Sequence, residues 1–390
     1  MFKNVLNVTW LNYGLMRSAM DITLVCDPMM DLTGSIQPAI FLAEELAKRY
    51  CKVYVLSPFI QPSVESTLLK KGIFPLNLDV KIFMGNFGAS AALLEAWLRE
   101  AFLKFSLPTC ILEKPTLVLN FSNMVVIPSQ ILYLQGPLSK ALNDIKTELP
   151  LLLRFIYKSL RPLIDYADRR LISSMGKFLP TFIANSKFCA SMYTDFGFDV
   201  KYVIYPPIDC HMFIPSTSDP SSDYVLSYFG KETKFSVIKR IADEGVKIKA
   251  FGSKTPFLGN KLIKHSNIEF LGRISTKELV EVYSNALFTV FPFTHEPFGY
   301  VPLESMACGT PVLTYNHQGP SEYVIDGVTG WLVDSDEEMI ARALKLWKDG
   351  YPCCLRGKCV KEAAKFDRKN YAENWVEVLK KIFDVYLRNI

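Results

Sequence analysis

Two carboxylates, Glu296 and Glu304, stand eight positions apart in the stretch HEPFGYVPLESMACGTPV. Such a pair can serve as acid and base, ligate a metal, or accept hydrogen bonds from one ligand at two points. The residues between them narrow the choice. Pro297 and Gly299 forbid a helix through that segment, and Pro302 suits the first position of the helix that follows, which puts Glu304 in its first turn. On one helix the pair would lie roughly 12 Å apart, at 1.5 Å per residue. With a loop between them, both can face one cleft. The N–H groups around Phe298, Gly299, Tyr300 and Val301 then point out of a helix N-terminus, an anion site carrying about half a positive charge. A phosphate site flanked by hydroxyl-binding carboxylates describes a nucleoside diphosphate sugar. Taken singly, either glutamate reads equally as a helix-start or surface charge, and the pairing weakens that plainer reading.

The rest of the chain must build a cleft for such a ligand. Short apolar runs alternate with helical patterns: DITLVCD (21–27), VYVLS (53–57), VKIFMG (80–85), TLVLNFS (116–122), QILYLQG (130–136) and TFIANS (181–186). This alternation predicts a parallel sheet covered by helices on both faces. Residues 89–105 form an amphipathic helix with Glu95 and Arg99 paired at i, i+4, and 139–178 a long helical region. Pro206-Pro207 cannot sit inside a central strand and marks a boundary. Beyond it the alternation resumes with DYVLSYFG (223–230), VKIKAFGS, NIEFLG, a strand ending near Phe293, PVLTYN and WLV. The expected organisation is a dispensable extension over 1–19, one Rossmann-like domain over 20–206, a second over 207–367, and a helix over 368–390 packing back across the joint. Ligands of such sheets bind beyond the carboxyl ends of the strands, so the interdomain cleft is the expected site.

Composition agrees with a buried globular chain: 390 residues, 49% hydrophobic and 21% charged. The net charge of +5 suits an anionic small ligand or an anionic membrane face, and no dense basic stripe argues for nucleic acid. Nine cysteines without a C-x-x-C pair, and four histidines, give no metal-site spacing and read as free thiols of a reducing compartment. No apolar run reaches the roughly 18 to 20 residues of a membrane span. Asp334-Ser335-Asp336 sits just before a helical period and reads as a cap, not a metal motif.

EPFGYVPLE, with MACGTPV, GPSEYVIDGVTGWLV, FLGRISTKELVEVYSNA and IANSKFCASMY, resembles the E-x(7)-E signature and flanking motifs of retaining glycosyltransferases of family four. The resemblance runs from about residue 20 to 385 and is strongest in the second half. It implies the GT-B fold, α/β with two facing Rossmann-like domains, parallel sheets and an interdomain cleft. It also implies transfer of a hexosyl group from a UDP- or GDP-sugar to a hydroxyl of a glycan or lipid-linked acceptor, with retention and without a tightly bound cofactor or metal. Carried over by position, Glu296 would contact the donor sugar and Glu304 the ribose. The backbone of Phe298, Gly299, Tyr300 and Val301 would meet sugar and diphosphate, Arg273 and Ile274 the base, and Lys231 with Lys234 the diphosphate.

Two departures matter. The first loop, DPMMDLTGSIQ, keeps only Gly34 where the family has a glycine pair, and Gln135 stands where it commonly has a histidine. Gln can bond a sugar hydroxyl but carries no proton at neutral pH. Retention in this family is usually explained by front-face attack, in which the leaving phosphate helps deprotonate the acceptor, so Gln135 does not remove the activity. A sugar-nucleotide epimerase or phosphorylase on the same fold, and an inactive binding subunit, stay open as alternatives; no G-x-G-x-x-G supports a dehydrogenase. Residues 149–173 mix Leu, Phe and Tyr with Arg154, Lys158, Arg161, Arg169 and Arg170. Two readings stand side by side: a helix on the first sheet with its cations in water, or a segment lying in a membrane interface. This region resembles mannosyltransferases of lipid-linked oligosaccharide assembly, which adds some weight to the membrane reading; with the free thiols, the expectation is a cytoplasmic protein, in the membrane reading peripheral on the cytoplasmic membrane face.

Overall fold

The computed structural model describes residues 21–388, apart from 33, 50–51, 79, 82, 84–88, 104–115, 141–150, 179, 231, 253–261 and 263. The expected extension at 1–19 and Lys231 therefore lie outside the described residues. Two parallel sheets carry the chain. The first holds seven strands: β1 (Asp21–Val25), β2 (Val53–Ser57), β3 (Phe74–Asn77), β4 (Thr116–Asn120), β5 (Ile131–Leu134), β6 (Thr181–Ala184) and β7 (Tyr202–Val203), in the order β3-β2-β1-β4-β5-β6-β7. The second holds six: β8 (Val225–Phe229), β9 (Ile248–Gly252), β10 (Ile268–Gly272), β11 (Thr289–Phe291), β12 (Val312–Tyr315) and β13 (Gly330–Val333), ordered β10-β9-β8-β11-β12-β13. In both sheets the order reverses beside the opening strand, between β1 and β4 and between β8 and β11.

Helices cover both faces because the strands are apolar on both. Helices α1 (Gln37–Arg49) and α2 (Pro62–Lys70) pack one side of the first sheet; α3 (Ala89–Phe102), α4 (Leu151–Gly176) and α5 (Lys187–Thr194) pack the other. Around the second sheet, α6 (Phe235–Asp243) and α9 (Asp336–Asp349) oppose α7 (Thr276–Asn285), α8 (Tyr300–Ala307) and α10 (Cys354–Ala363). The last helix, α11 (Arg368–Arg388), returns to the first sheet. There Trp375 is fully buried, its ring 5.4 Å from Phe121 and 5.6 Å from Tyr133. Arg368 pairs with Glu44 of α1 and, at 3.2 Å, with Asp209 of the link.

Three local expectations are corrected. The run 80–85 is not a strand in its described residues, Val80, Lys81 and Phe83; the third strand is FPLN, at 74–77. Pro75 hides it, and its edge position explains why a residue without an N–H is tolerated there. The strand expected to end near Phe293 ends at Phe291. Helix α8 begins at Tyr300, so Pro302 is its third residue and Glu304 lies in the second turn. Proline fits anywhere in a first turn, because none of those N–H groups has an intrahelical acceptor. Ser335 caps α9 by accepting from Glu338 N at 3.2 Å, as the reading of Asp334-Ser335-Asp336 expected.

Candidate active site

Both strand-order reversals open onto one cavity. From the first half it is lined by Asp27, two residues beyond β1, by Asn123 beyond β4, and by Gln135 and Gly136 directly after β5. Glu232, beyond β8, and Phe293, His295, Glu296 and Pro297, beyond β11, close it from the second half. Its volume is about 270 Å³. Crevices at such reversals are where open α/β sheets bind ligands, since neighbouring connections leave there on opposite faces.

The loop bearing Glu296 is held from several sides. Glu296 N donates to Gln318 Oε1 at 3.3 Å, and Gly319 N donates to Glu296 O at 2.9 Å. Gly299 caps α8 with φ of 88°, and a Cβ there would lie 2.9 Å from Pro320 Cγ and 3.2 Å from Glu296 Cγ, so the turn demands glycine. The Tyr323 hydroxyl donates to the carbonyls of Phe298 and Gly299, at 3.0 and 2.5 Å. Phe298 is buried against Tyr300, Tyr323 and Phe366, which leaves its backbone, not its ring, to meet a ligand. Glu304 is half-buried and accepts from the Tyr283 hydroxyl at 3.1 Å. Burial raises its carboxyl to about 7, against a smaller lowering by Tyr283.

Of the expected residues, Glu296 and Gln135 line the cavity, whereas Phe298, Gly299, Tyr300, Val301, Glu304, Arg273, Ile274, Lys234 and Gly34 are not among its lining residues. Gln135 donates its Nε2 to Phe121 O at 2.8 Å and lines the cavity. Gly34 opens a turn, Gly34–Ile36, with φ of 64°, and its neighbour Ser35 is on the cavity wall. Arg273 and Ile274 follow β10, Ile274 packing towards Phe251 and Tyr283. Lys234 is committed elsewhere: its ammonium lies 2.8 Å from Asp336 Oδ1 and 4.7 Å from the centre of the Tyr315 ring. That arrangement ties the start of α6 to the start of α9, and Lys234 is not itself among the residues lining the cavity.

Asp27 went unnoticed in the sequence. It is buried at the cavity wall, and its Oδ1 accepts from the Ser122 hydroxyl and, at 3.1 Å, from Asn123 N. Desolvation raises its carboxyl to about 6, with those hydrogen bonds pulling the other way. The available signal was its place at the carboxyl end of the opening strand, where the fold puts ligands.

Residues 258–366 match the family model described as "Glycosyl transferases group 1". This span includes Arg273, Ile274 and the whole segment from Glu296 to Glu304. The solved structure of Anabaena Alr3699/HepE in complex with UDP-glucose superposes with a TM-score of 0.65 at 17% identity, covering 93% of this chain and all of that one. The fold is GT-B. Among curated relatives, a probable sucrose-phosphate synthase of Thermosipho melanesiensis is 32% identical over 122 residues, 30% of this chain and 29% of that protein. An alpha-1,3/1,6-mannosyltransferase alg-2 of Neurospora crassa is 47% identical over 53 residues, 14% of this chain and 11% of that protein. The chain thus spans less than a third of the length of either relative.

Proposed function

We propose that this GT-B chain is a retaining hexosyltransferase, moving a sugar from UDP or GDP to a hydroxyl of a glycan or lipid-linked acceptor. The observation that carries this reading is the convergence of Glu296, in the loop that leads into α8, with the first half's Asp27 and Gln135 on one cavity. The match over 258–366 and the sugar-transferring relatives support it.

In this reading Glu304 receives the ribose hydroxyls and the backbone at 298–301 receives the diphosphate. Lys231 adds its charge to the diphosphate, while Arg273 and Ile274 bound the base. Gly34 gives the first loop its close turn beside the sugar. Glu296 accepts from the sugar hydroxyls, and Gln135 and Asp27 face the acceptor. The acceptor oxygen bonds to the anomeric carbon as the carbon–phosphate-oxygen bond breaks; the electron pair and the acceptor proton leave with the nucleoside diphosphate. Lys234 contributes to the diphosphate only if it leaves Asp336.

The test is a screen of UDP- and GDP-sugars for transfer or hydrolysis, repeated with Glu296→Gln. That variant should lose at least about tenfold in transfer, since a charge-assisted hydrogen bond contributes roughly 1.5–3 kcal/mol. A wild-type rate in the variant would remove Glu296 from the site.

Membrane contact is favoured by α4. Leu151, Leu152 and Phe155 are 81, 71 and 69% exposed, beside Arg154, Lys158 and Arg161. Its far end is anchored, with Asp168 accepting from Trp97 Nε1 at 3.1 Å and from Ser139 N at 2.7 Å. An amphipathic cationic segment of this kind suits an anionic lipid surface, and no helix among the described residues is long and apolar enough to cross one. The protein should float with anionic vesicles and not with neutral ones, and Phe155→Asp should weaken binding severalfold. No difference between the two vesicle types would leave α4 as a soluble helix.

A further inference from the structure

We infer that Glu322 is a positioning residue for Glu296, clipping the two halves of the chain so that the loop carrying Glu296 is held against the cavity. The inference rests on the reading of Glu296 as the donor-sugar contact. Glu322 is not among the residues lining the cavity, so it acts through others.

Glu322 ends the tight turn Gly319–Glu322 of the second half. Its carboxylate reaches the first half, where Oε1 accepts from Phe188 N at 2.7 Å and Oε2 from Lys187 N at 3.0 Å. Oε2 also accepts from the Tyr205 hydroxyl, on the link between halves, at 2.9 Å. Lys187 and Phe188 open α5, and the first amides of a helix have no partner of their own. A carboxylate there also meets the positive end of the helix dipole. Helix α5 is therefore capped twice. Its own half supplies Ser186, which accepts from Cys189 N at 2.8 Å; the other half supplies Glu322.

The contacts then close on themselves. The Ser186 hydroxyl donates to Pro297 O, next to Glu296. Gly319, three residues before Glu322, donates its N–H to Glu296 O. Pro297 sits wedged between the halves: a Cβ on Gly319 would lie 2.2 Å from Pro297 O, and one on Gly136 would lie 2.6 Å from Pro297 Cγ. One route thus runs from α5 through Glu322 and Gly319 to Glu296 and Pro297, and back through Ser186 to α5. Separating the halves breaks the Glu322 and Ser186 bonds together, so the support that the first half gives the loop through Ser186 exists only in the closed arrangement. IANSKFCASMY and GPSEYVIDG are far apart in sequence, and this ring gives them a shared role.

Glu322→Ala and Glu322→Gln test the clip in three measurements: kcat with a productive nucleotide sugar, binding of UDP and GDP by calorimetry, and the radius of gyration of the nucleotide-free protein in solution. Glu322→Ala should lower kcat at least tenfold and keep nucleotide affinity within twofold, because Glu304 and the α8 start are untouched. Its radius of gyration should exceed that of the parent. Glu322→Gln keeps one acceptor oxygen and should fall between the two in kcat; it carries the same readouts should the alanine variant fail to fold. A kcat within twofold of the parent overturns the inference, as does nucleotide affinity falling in step with kcat. If the parent transfers no sugar at all, the proposed activity fails by itself. The solution measurement then still decides: expansion in Glu322→Ala supports the clip, and an unchanged radius overturns it.

Discussion

Glu304→Gln is expected to bind UDP or GDP at least tenfold more weakly than the parent, yet to melt at a higher temperature at pH 8. Both outcomes come from one half-buried carboxyl. Burial raises Glu304 from 4.5 to about 7, and the hydrogen bond from Tyr283 offsets only part of this. A carboxyl whose folded pKa exceeds its unfolded value holds its proton longer in the native state. Stability from this group is therefore full below about 4.5, falls as pH rises through about 7, and stays low above. At pH 8 the native protein carries a desolvated carboxylate, at a cost on the order of 1–3 kcal/mol, from 1.36 kcal/mol per pKa unit. Glutamine is neutral throughout and can still accept from Tyr283, so its melting temperature should decline less than the parent's from pH 6 to 8. Two ribose hydroxyls donating to Glu304 would relieve the same cost, so nucleotide affinity of the parent should rise with pH through about 7. A calorimetric pH series checks both halves. Unchanged nucleotide affinity, or a lower melting temperature at pH 8, would remove Glu304 from the ribose site.

Much of the frame was legible because parallel strands buried on both faces must be written as apolar runs, and here they alternate with helical periods. β3 was not legible, since an edge strand can be as short as FPLN and carry a proline. The α8 register was misplaced by two residues, because a proline signals a first turn without saying which position it fills. The Glu296–Glu304 segment could be read as a site because its chemistry is local: a strand end, a glycine turn and a helix start adjoin in sequence. Lys234 shows the opposite case. The family resemblance offered it to the diphosphate, and its ion pair with Asp336, 102 positions away, is announced by no local pattern. Asp27 and Glu322 escaped for the same reason. Each gains its meaning from groups supplied by distant segments: Ser122 and Asn123 for one, Lys187 and Phe188 for the other.

Asp27→Asn should lower the rate of transfer to acceptor at least about tenfold, since a charge-assisted hydrogen bond contributes roughly 1.5–3 kcal/mol, and leave nucleotide binding within twofold. The substitution keeps the shape of the site. An amide oxygen in the Oδ1 position still accepts from Ser122 and Asn123, so the loop after β4 stays in place. What changes is the second atom, where an NH2 donor replaces an acceptor. The acceptor must be held with its attacking oxygen on the anomeric carbon, and an NH2 donor where a carboxylate oxygen accepted from it loosens that hold. Asp27 is well placed for this task because it belongs to the half opposite Glu304 and faces Glu296 across the same cavity. Its carboxyl, raised to about 6 by burial, is protonated below that pH and then lacks the charge that strengthens the bond it accepts. Acceptor transfer by the parent should therefore fall as pH drops through about 6. Asp27→Asn should lack this acid limb. Transfer at the parental rate with an unaltered acid limb would make Asp27 a structural residue of the β1–β4 crevice. A loss shared equally by transfer to acceptor and by hydrolysis of the donor would place it on the donor side instead. Hydrolysis that persists while acceptor transfer falls is the result expected of a carboxylate that holds the attacking hydroxyl.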